Sequence, residues 1–134
     1  MEKTSNTAPQ QLGHHLLAEF YDCNPHVLNN PQCLEEVMVQ AAKVCGATIV
    51  EQNFHHFSPY GVSGVVILAE SHLAIHTWPE YGYAAADLFT CGDKCQPHLA
   101  YEYLKEHLHA GSASYSELNR GLIDTKTQTL MKVP

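Results

Sequence analysis

Apolar and polar positions change period several times along this chain, and each change marks an element. From Gly13 to Asp22 the stretch GHHLLAEFYD alternates and is rich in aromatic residues, which predicts a strand. A helix follows, with Asn30 as N-cap, Pro31 in the first turn and Gly46 at its end. Its apolar residues Leu34, Val37, Met38, Ala41, Val44 and Cys45 recur at helical spacing. Residues 47–57 (ATIVEQNFHHF) return to β character before a turn at SPYG. GVSGVVILAE, from Gly61 to Glu70, is a continuous apolar strand enriched in Val and Ile. SHLAIHTW and YGYAAADLFTC give two further strands, separated by a turn around Pro79 and Glu80. A second helix is expected from Pro97 to Ala110, with Leu99, Tyr103, Leu104 and Leu108 as its buried stripe and Gly111 as its stop. A last strand is expected from Ser112 to Asn119.

The expected order is β-α-β-β-β-β-α-β, an α+β fold. Two helices cannot cover both faces of such a sheet, so a two-layer α/β sandwich is predicted, mainly antiparallel, with both helices on one face. The other face would carry side chains of the GVVIL type and needs a cover. A homodimer stacking sheet on sheet supplies it, because apolar patches of that size are rare on monomers. The 134 residues suit one domain, expected over 13–120, with polar tails at 1–12 and 121–134.

Composition narrows the function classes. Hydrophobic residues make up 45% and charged residues 16%, a globular balance rather than a disordered one. A net charge of −7 argues against a nucleic-acid binder, which needs a basic face for phosphates. No apolar run approaches the ~20 residues of a membrane span, and MEKTSNTAPQQ lacks the apolar core of a signal peptide. The five cysteines, Cys23, Cys33, Cys45, Cys91 and Cys95, are odd in number and irregular in spacing. These features point to a cytoplasmic protein with free thiols.

The densest polar cluster in an apolar setting runs from Glu70, Ser71 and His72 to His76, Thr77, Trp78, Pro79 and Glu80, followed by Cys91. His72 and His76 would share a metal on a helix. The segment alternates, however, and at ~3.3 Å per residue the two histidines of a strand stand about 13 Å apart. No metal is therefore expected here. Cys91 and Cys95 lack the usual C-x2-C spacing and have no second pair to complete four ligands. Cys91 ends a strand that brings Tyr83, Asp87 and Phe89 to one face by period two. Ser71 with His76, or Cys91 with a histidine, would be a nucleophile with a base, but such sets are defined in space and not by order. Spacing leaves these alternatives open.

The wording of one block goes further. FSPYGVSGVVILAESHLAIHTWPEYGYAAADLFTCGD, residues 57–93, closely resembles the prokaryotic S-adenosylmethionine decarboxylases, as does GHHLLAEFYDC near the N-terminus. With GATIV and the helix between, the resemblance spans about residues 12–110. It implies a pyruvoyl-dependent enzyme that makes its own cofactor by cutting itself between Glu70 and Ser71. The Ser71 hydroxyl would attack the Glu70 carbonyl, and loss of the Ser71 α-proton would break the resulting ester. His76 matches the family's base for that proton, a role suited to an imidazole. Ser63, in GVSG, matches a serine that helps processing or holds substrate.

For turnover the resemblance implies a Schiff base between the pyruvoyl ketone and the substrate amine, with the conjugated carbonyl as electron sink. Cys91 matches the proton donor to the substrate carbon. Phe57 matches the aromatic residue that stacks on adenine, and Glu80 the acid that binds the ribose hydroxyls. A sulfonium favours aromatic faces; Phe20 and Tyr21 are candidates for that contact, with ordinary sheet packing as the alternative. The implied product feeds spermidine synthesis. Two rival functions are a pyruvoyl decarboxylase of arginine or ornithine on the same scaffold and a regulatory homologue that does not cleave. Phe57 and Glu80 favour the nucleoside substrate, and intact Ser71, His76 and Cys91 count against the regulatory reading.

Overall fold

A computed structural model describes residues 10–132. The alternating segments become strands β1 (Gln10–Tyr21), β2 (Ile49–His56), β3 (Val62–Leu68), β4 (Ser71–Trp78), β5 (Tyr83–Thr90), β6 (Ser112–Asp124) and β7 (Thr129–Leu130). They form one antiparallel sheet in the order β2-β3-β4-β5-β1-β6-β7. Helices α1 (Pro25–Leu28) and α2 (Pro31–Val44) lie between β1 and β2, and α3 (Pro97–His107) joins β5 to β6.

Period two decides which side chains are buried. In β4, Leu73, Ile75 and Thr77 are buried, while His72, Ala74, His76 and Trp78 point to the opposite face. In β5, Ala84, Ala86, Leu88 and Thr90 are buried and Tyr83, Ala85, Asp87 and Phe89 face the other way. The buried sheet residues join Leu34, Met38, Ala41 and Ala42 of α2 and Ala100, Tyr101 and Leu104 of α3 in one core cluster. The open face carries both small apolar residues and the polar residues of the site.

Asn30 caps α2 as expected, its side chain accepting from the Cys33 N–H at 3.1 Å. In α3 the expected Leu104 and Leu108 are buried, joined by Ala100 and Tyr101, and Tyr103 is half-buried; Leu99 is exposed, because Ala100 and Tyr101 instead turn toward the core.

Three stretches differ from the sequence expectation. Residues 10–12, expected in the N-terminal tail, belong to β1, which pairs with β6 from Gln10↔Ile123 to Tyr21↔Ser112. Residues 121–130, expected in the C-terminal tail, complete β6 and add β7. Backbone ladder bonds hold these stretches rather than burial, so they show no alternation in the sequence. The third is α1, four residues capped by Asn24, too short to show a period. The remainder of the expected tails, residues 1–9 and 133–134, lies outside the described residues.

Candidate active site

The β3–β4 hairpin sets up the first half of the site. Ser71 follows the turn at Ala69 and Glu70 and sits at φ 150°, a backbone region that side-chain-bearing residues rarely occupy. The Glu70 carbonyl accepts a hydrogen bond from the Cys91 backbone N–H at 2.8 Å. The Ser71 hydroxyl lies 3.9 Å from the Cys91 thiol, which is exposed at the end of β5. A strained serine therefore follows a carbonyl already polarised by a fixed donor. That is the requirement for a hydroxyl to attack its own preceding peptide bond, because the donor stabilises charge as it develops on the carbonyl oxygen.

Glu70 is held through its side chain as well. One carboxylate oxygen accepts from the Thr48 N–H at 3.0 Å, and the other lies 3.3 Å from Lys94 Nζ. Lys94 Nζ also donates to the Thr48 hydroxyl at 2.6 Å. The Thr48 N–H, followed by Lys94, holds the Glu70 carboxyl below its ordinary range. Thr48 and Lys94 were missed in the sequence because their partner is 22 and 24 residues away in the chain. A short motif gives no sign of such a pairing.

The second half lies at the far end of the same strands. Ser63 and His76 are directly opposite in the β3–β4 register, and the Ser63 hydroxyl is hydrogen-bonded to His76 Nδ1 at 2.9 Å. Beside them opens a cleft of about 430 Å³ lined by Asn53, His55, Ser63, Val65, Ala74 and His76. Phe57, just past β2, is exposed and packs edge-on against His55. Its backbone N–H bonds the Gly61 carbonyl, and Asn29 anchors this loop by accepting from Gly61 N–H and His56 Nε2, each at 3.0 Å. Glu80 is exposed in the 3-10 turn Pro79–Tyr81. Tyr21 stacks on Tyr83, which also meets Trp78 and donates to Glu19.

The structure thus brings Ser71 to Cys91 and Ser63 to His76, but it does not bring His76 to Ser71 within one chain. They stand five positions apart, about 16 Å along β4. Phe20 also needs correction as a substrate contact. It is fully buried and stacked on Tyr101 in the core, on the face opposite the site, because its position in β1 has inward parity.

Between the two halves, Asp87 Oδ1 is met by His72 Nε2 at 2.9 Å and His15 Nε2 at 3.3 Å. The three ligand atoms lie close enough to share an ion. Arg120, always a donor, approaches His15 Nδ1 at 3.1 Å, a contact that matches the tautomer whose Nε2–H donates to Asp87. The Phe89 ring packs against both imidazoles, and lies where any side chain on Gly13 would sit.

Residues 14–121 match the family described as S-adenosylmethionine decarboxylase. The S-adenosylmethionine decarboxylase proenzyme of Acidithiobacillus ferrooxidans is 56% identical over 115 residues, covering 86% of each chain. The proenzyme of the same name from Thermotoga maritima is 57% identical over 115 residues, covering 86% of this chain and 88% of that one. Among solved structures, the adenosylmethionine decarboxylase of Aquifex aeolicus superposes with a TM-score of 0.80 at 33% identity, covering 85% of this chain and 94% of the other. Among the described residues no helix is long and apolar enough to cross a membrane.

Proposed function

The chain belongs to the S-adenosylmethionine decarboxylase family, and from that premise we propose that it is a proenzyme that cuts itself between Glu70 and Ser71 to form a pyruvoyl group. Its reaction is the decarboxylation of S-adenosylmethionine. The observation that carries the cleavage reading is the Glu70 carbonyl held by the Cys91 N–H, next to Ser71 at φ 150°.

Cleavage begins when Ser71 Oγ bonds to the Glu70 carbonyl carbon, with the oxyanion facing the Cys91 N–H. The C–N bond then breaks, the hydroxyl proton passes to the Ser71 nitrogen, and an ester joins the two residues. A base removes the Ser71 α-proton, and Glu70 leaves as a carboxylate. Residue 71 is left as dehydroalanine, and water converts its imine tautomer to the ketone with release of ammonia. The products are chains of 70 and 64 residues. They stay together because β3 and β4, on either side of the cut, remain paired in one sheet.

His76 is the base, acting on Ser71 of a partner molecule rather than on its own. Support comes from the about 16 Å of strand between the two in one chain and from their positions at opposite ends of one sheet. A two-fold axis stacking two open faces sets each end against the other. The helices α2 and α3 then cover one face and the second copy covers the other. Ile67, Trp78, Tyr21 and Leu118, all at least 40% exposed in the single chain, lie at open-face positions that such a dimer would bury.

In turnover the pyruvoyl group supplies an electron sink for the bond to the departing carboxylate. Cys91 Sγ delivers the proton to the substrate carbon, and Ser63 orients the His76 ring. Phe57 packs against the adenine and Glu80 accepts from the ribose hydroxyls. Tyr21 remains available for the sulfonium. The donor set fits the cofactor, since Ser71, whose Cα would become the ketone carbon, has its hydroxyl 3.9 Å from the exposed Cys91 thiol.

Intact mass measurement tests the reading directly. Freshly made protein should give two species near half of 14.9 kDa, and Ser71→Ala should give one. Cleavage of Ser71→Ala at the wild-type rate would refute it. Carbon dioxide released from arginine or ornithine, and not from S-adenosylmethionine, would move the substrate to the rival class.

A further inference from the structure

The Glu70 side chain does more than occupy the residue before the cut. Its two carboxylate oxygens are engaged by two other segments of the chain: the Thr48 N–H at 3.0 Å and Lys94 Nζ at 3.3 Å. Lys94 is itself tied to the Thr48 hydroxyl at 2.6 Å. The backbone repeats the attachment, with the Ala69 N–H donating to the Thr48 carbonyl at 2.9 Å and the Cys91 N–H donating to the Glu70 carbonyl at 2.8 Å. Only 14% of the Glu70 side chain is exposed, so this carboxylate is covered at a hairpin turn where side chains usually face water.

We infer that Thr48 and Lys94 form a clamp on Glu70 that holds the scissile peptide in its reactive geometry, making Lys94 a positioning residue for self-cleavage. The inference rests on the cleavage reading above. Its physical basis is the φ of 150° at Ser71. A residue in that region relaxes to ordinary β geometry unless its surroundings prevent it. The β4 ladder fixes the C-terminal side of the peptide bond through Ser71↔Leu68 and Ser71↔Thr90. The clamp fixes the N-terminal side. With both sides held, rotation cannot release the strain, and the hydroxyl attack that breaks the C–N bond does. The clamp also keeps the Glu70 carbonyl against its N–H donor, and a polarised carbonyl accelerates attack only while that contact is kept. Lys94 touches neither reacting atom.

The test follows cleavage of freshly synthesised precursor in a cell-free translation, sampled over time on gels. Lys94→Met should slow cleavage about tenfold, between what an exposed ion pair is worth in stability and what a misplaced reacting group costs in rate. Lys94→Arg, which keeps the charge, should recover the rate to within about threefold of wild type. Glu70→Gln should slow cleavage about as much as Lys94→Met, and the double variant should be no slower than either single one, as expected for partners in one contact. Hydroxylamine separates the two steps, because it splits an accumulated ester. The Lys94→Met precursor should yield less hydroxylamine-released fragment than wild type at matched early times, since the acyl shift and not the later proton removal is impaired. Thermal unfolding of the uncleaved Ser71→Ala precursor, with and without Lys94→Met, shows whether the fold survives the substitution. Wild-type cleavage by Lys94→Met, or failure of Lys94→Arg to restore the rate in a folded protein, overturns the clamp. Cleavage of Ser71→Ala overturns the underlying reading instead.

Discussion

Cys91 carries two separable groups, a backbone N–H on the Glu70 carbonyl and a thiol beside Ser71. Replacing the side chain leaves the first in place. Cys91→Ala is therefore expected to cleave at near the wild-type rate yet lose at least about 10²-fold in decarboxylation, the scale of a lost general acid. Fragment formation on gels and carbon dioxide release read the two stages separately, and unimpaired turnover would remove Cys91 from the proton-transfer step. The three buried cysteines differ in kind. Burial pushes the Cys23 and Cys95 thiols up to about 11 and raises Cys45 as well. Groups raised in the folded state hold their protons more tightly there, so their contribution to stability is intact below about pH 9 and fades as the pH rises through 11. Iodoacetamide at pH 8 should label Cys91 ahead of these three, and the three should become reactive only as alkali loosens the fold; peptide mass spectrometry reads the order. At this scale it is the resemblance of the block from Phe57 to Asp93 that points to Ser71, His76 and Cys91. It could not show which of Phe20 and Tyr21 faces the site. That depends on strand parity, and the inward side of β1 is defined only once Phe20 stacks on Tyr101.

Hairpins and caps hold these residues in place. Thr77 is buried, donates its hydroxyl to the Leu28 carbonyl at 2.8 Å and accepts from the Val62 N–H at 2.9 Å. It thereby ties α1 to the paired ends of β3 and β4, next to Ser63 and His76. Thr77→Val keeps the volume but leaves Val62 N–H and the Leu28 carbonyl without that partner. A loss of about 1–3 kcal/mol is expected in urea-induced unfolding. An unchanged denaturation midpoint would mean that the hydroxyl is dispensable. The elements that were legible in advance are those with a buried face: α2 with its Asn30 cap, and β3 to β5 with their alternation. β7 and the second half of β6 were not, since they bury little and are held by hydrogen bonds to neighbouring strands. α1 was hidden by its length, although Thr77 makes it part of the support for the site.

For the whole molecule the decisive fact is a distance. Strand geometry that separates His72 from His76, and so removes a shared metal, also separates Ser71 from His76 by about 16 Å. The same reasoning was available in the sequence; the register, with Ser63 opposite His76 and Ser71 opposite Leu68, sets the two half-sites at opposite ends of the β3–β4 pair. If a second copy completes each site, defects in the two halves must complement. A Ser71→Ala chain retains His76, and a His76→Ala chain retains Ser71. Neither homodimer has a working pair, whereas a mixed dimer has one, at the Ser71 of the His76→Ala chain facing the His76 of its partner. Co-expression of the two chains with different affinity tags, followed by purification on both, is expected to give cleavage of the His76→Ala chain only. The Ser71→Ala chain, lacking the nucleophile, should remain whole. Mixed dimers are expected to approach half of the wild-type decarboxylase activity once that one site is processed. Cleavage by purified His76→Ala homodimers would assign proton removal to another base, and uncleaved mixed dimers would mean that each chain must supply both halves itself.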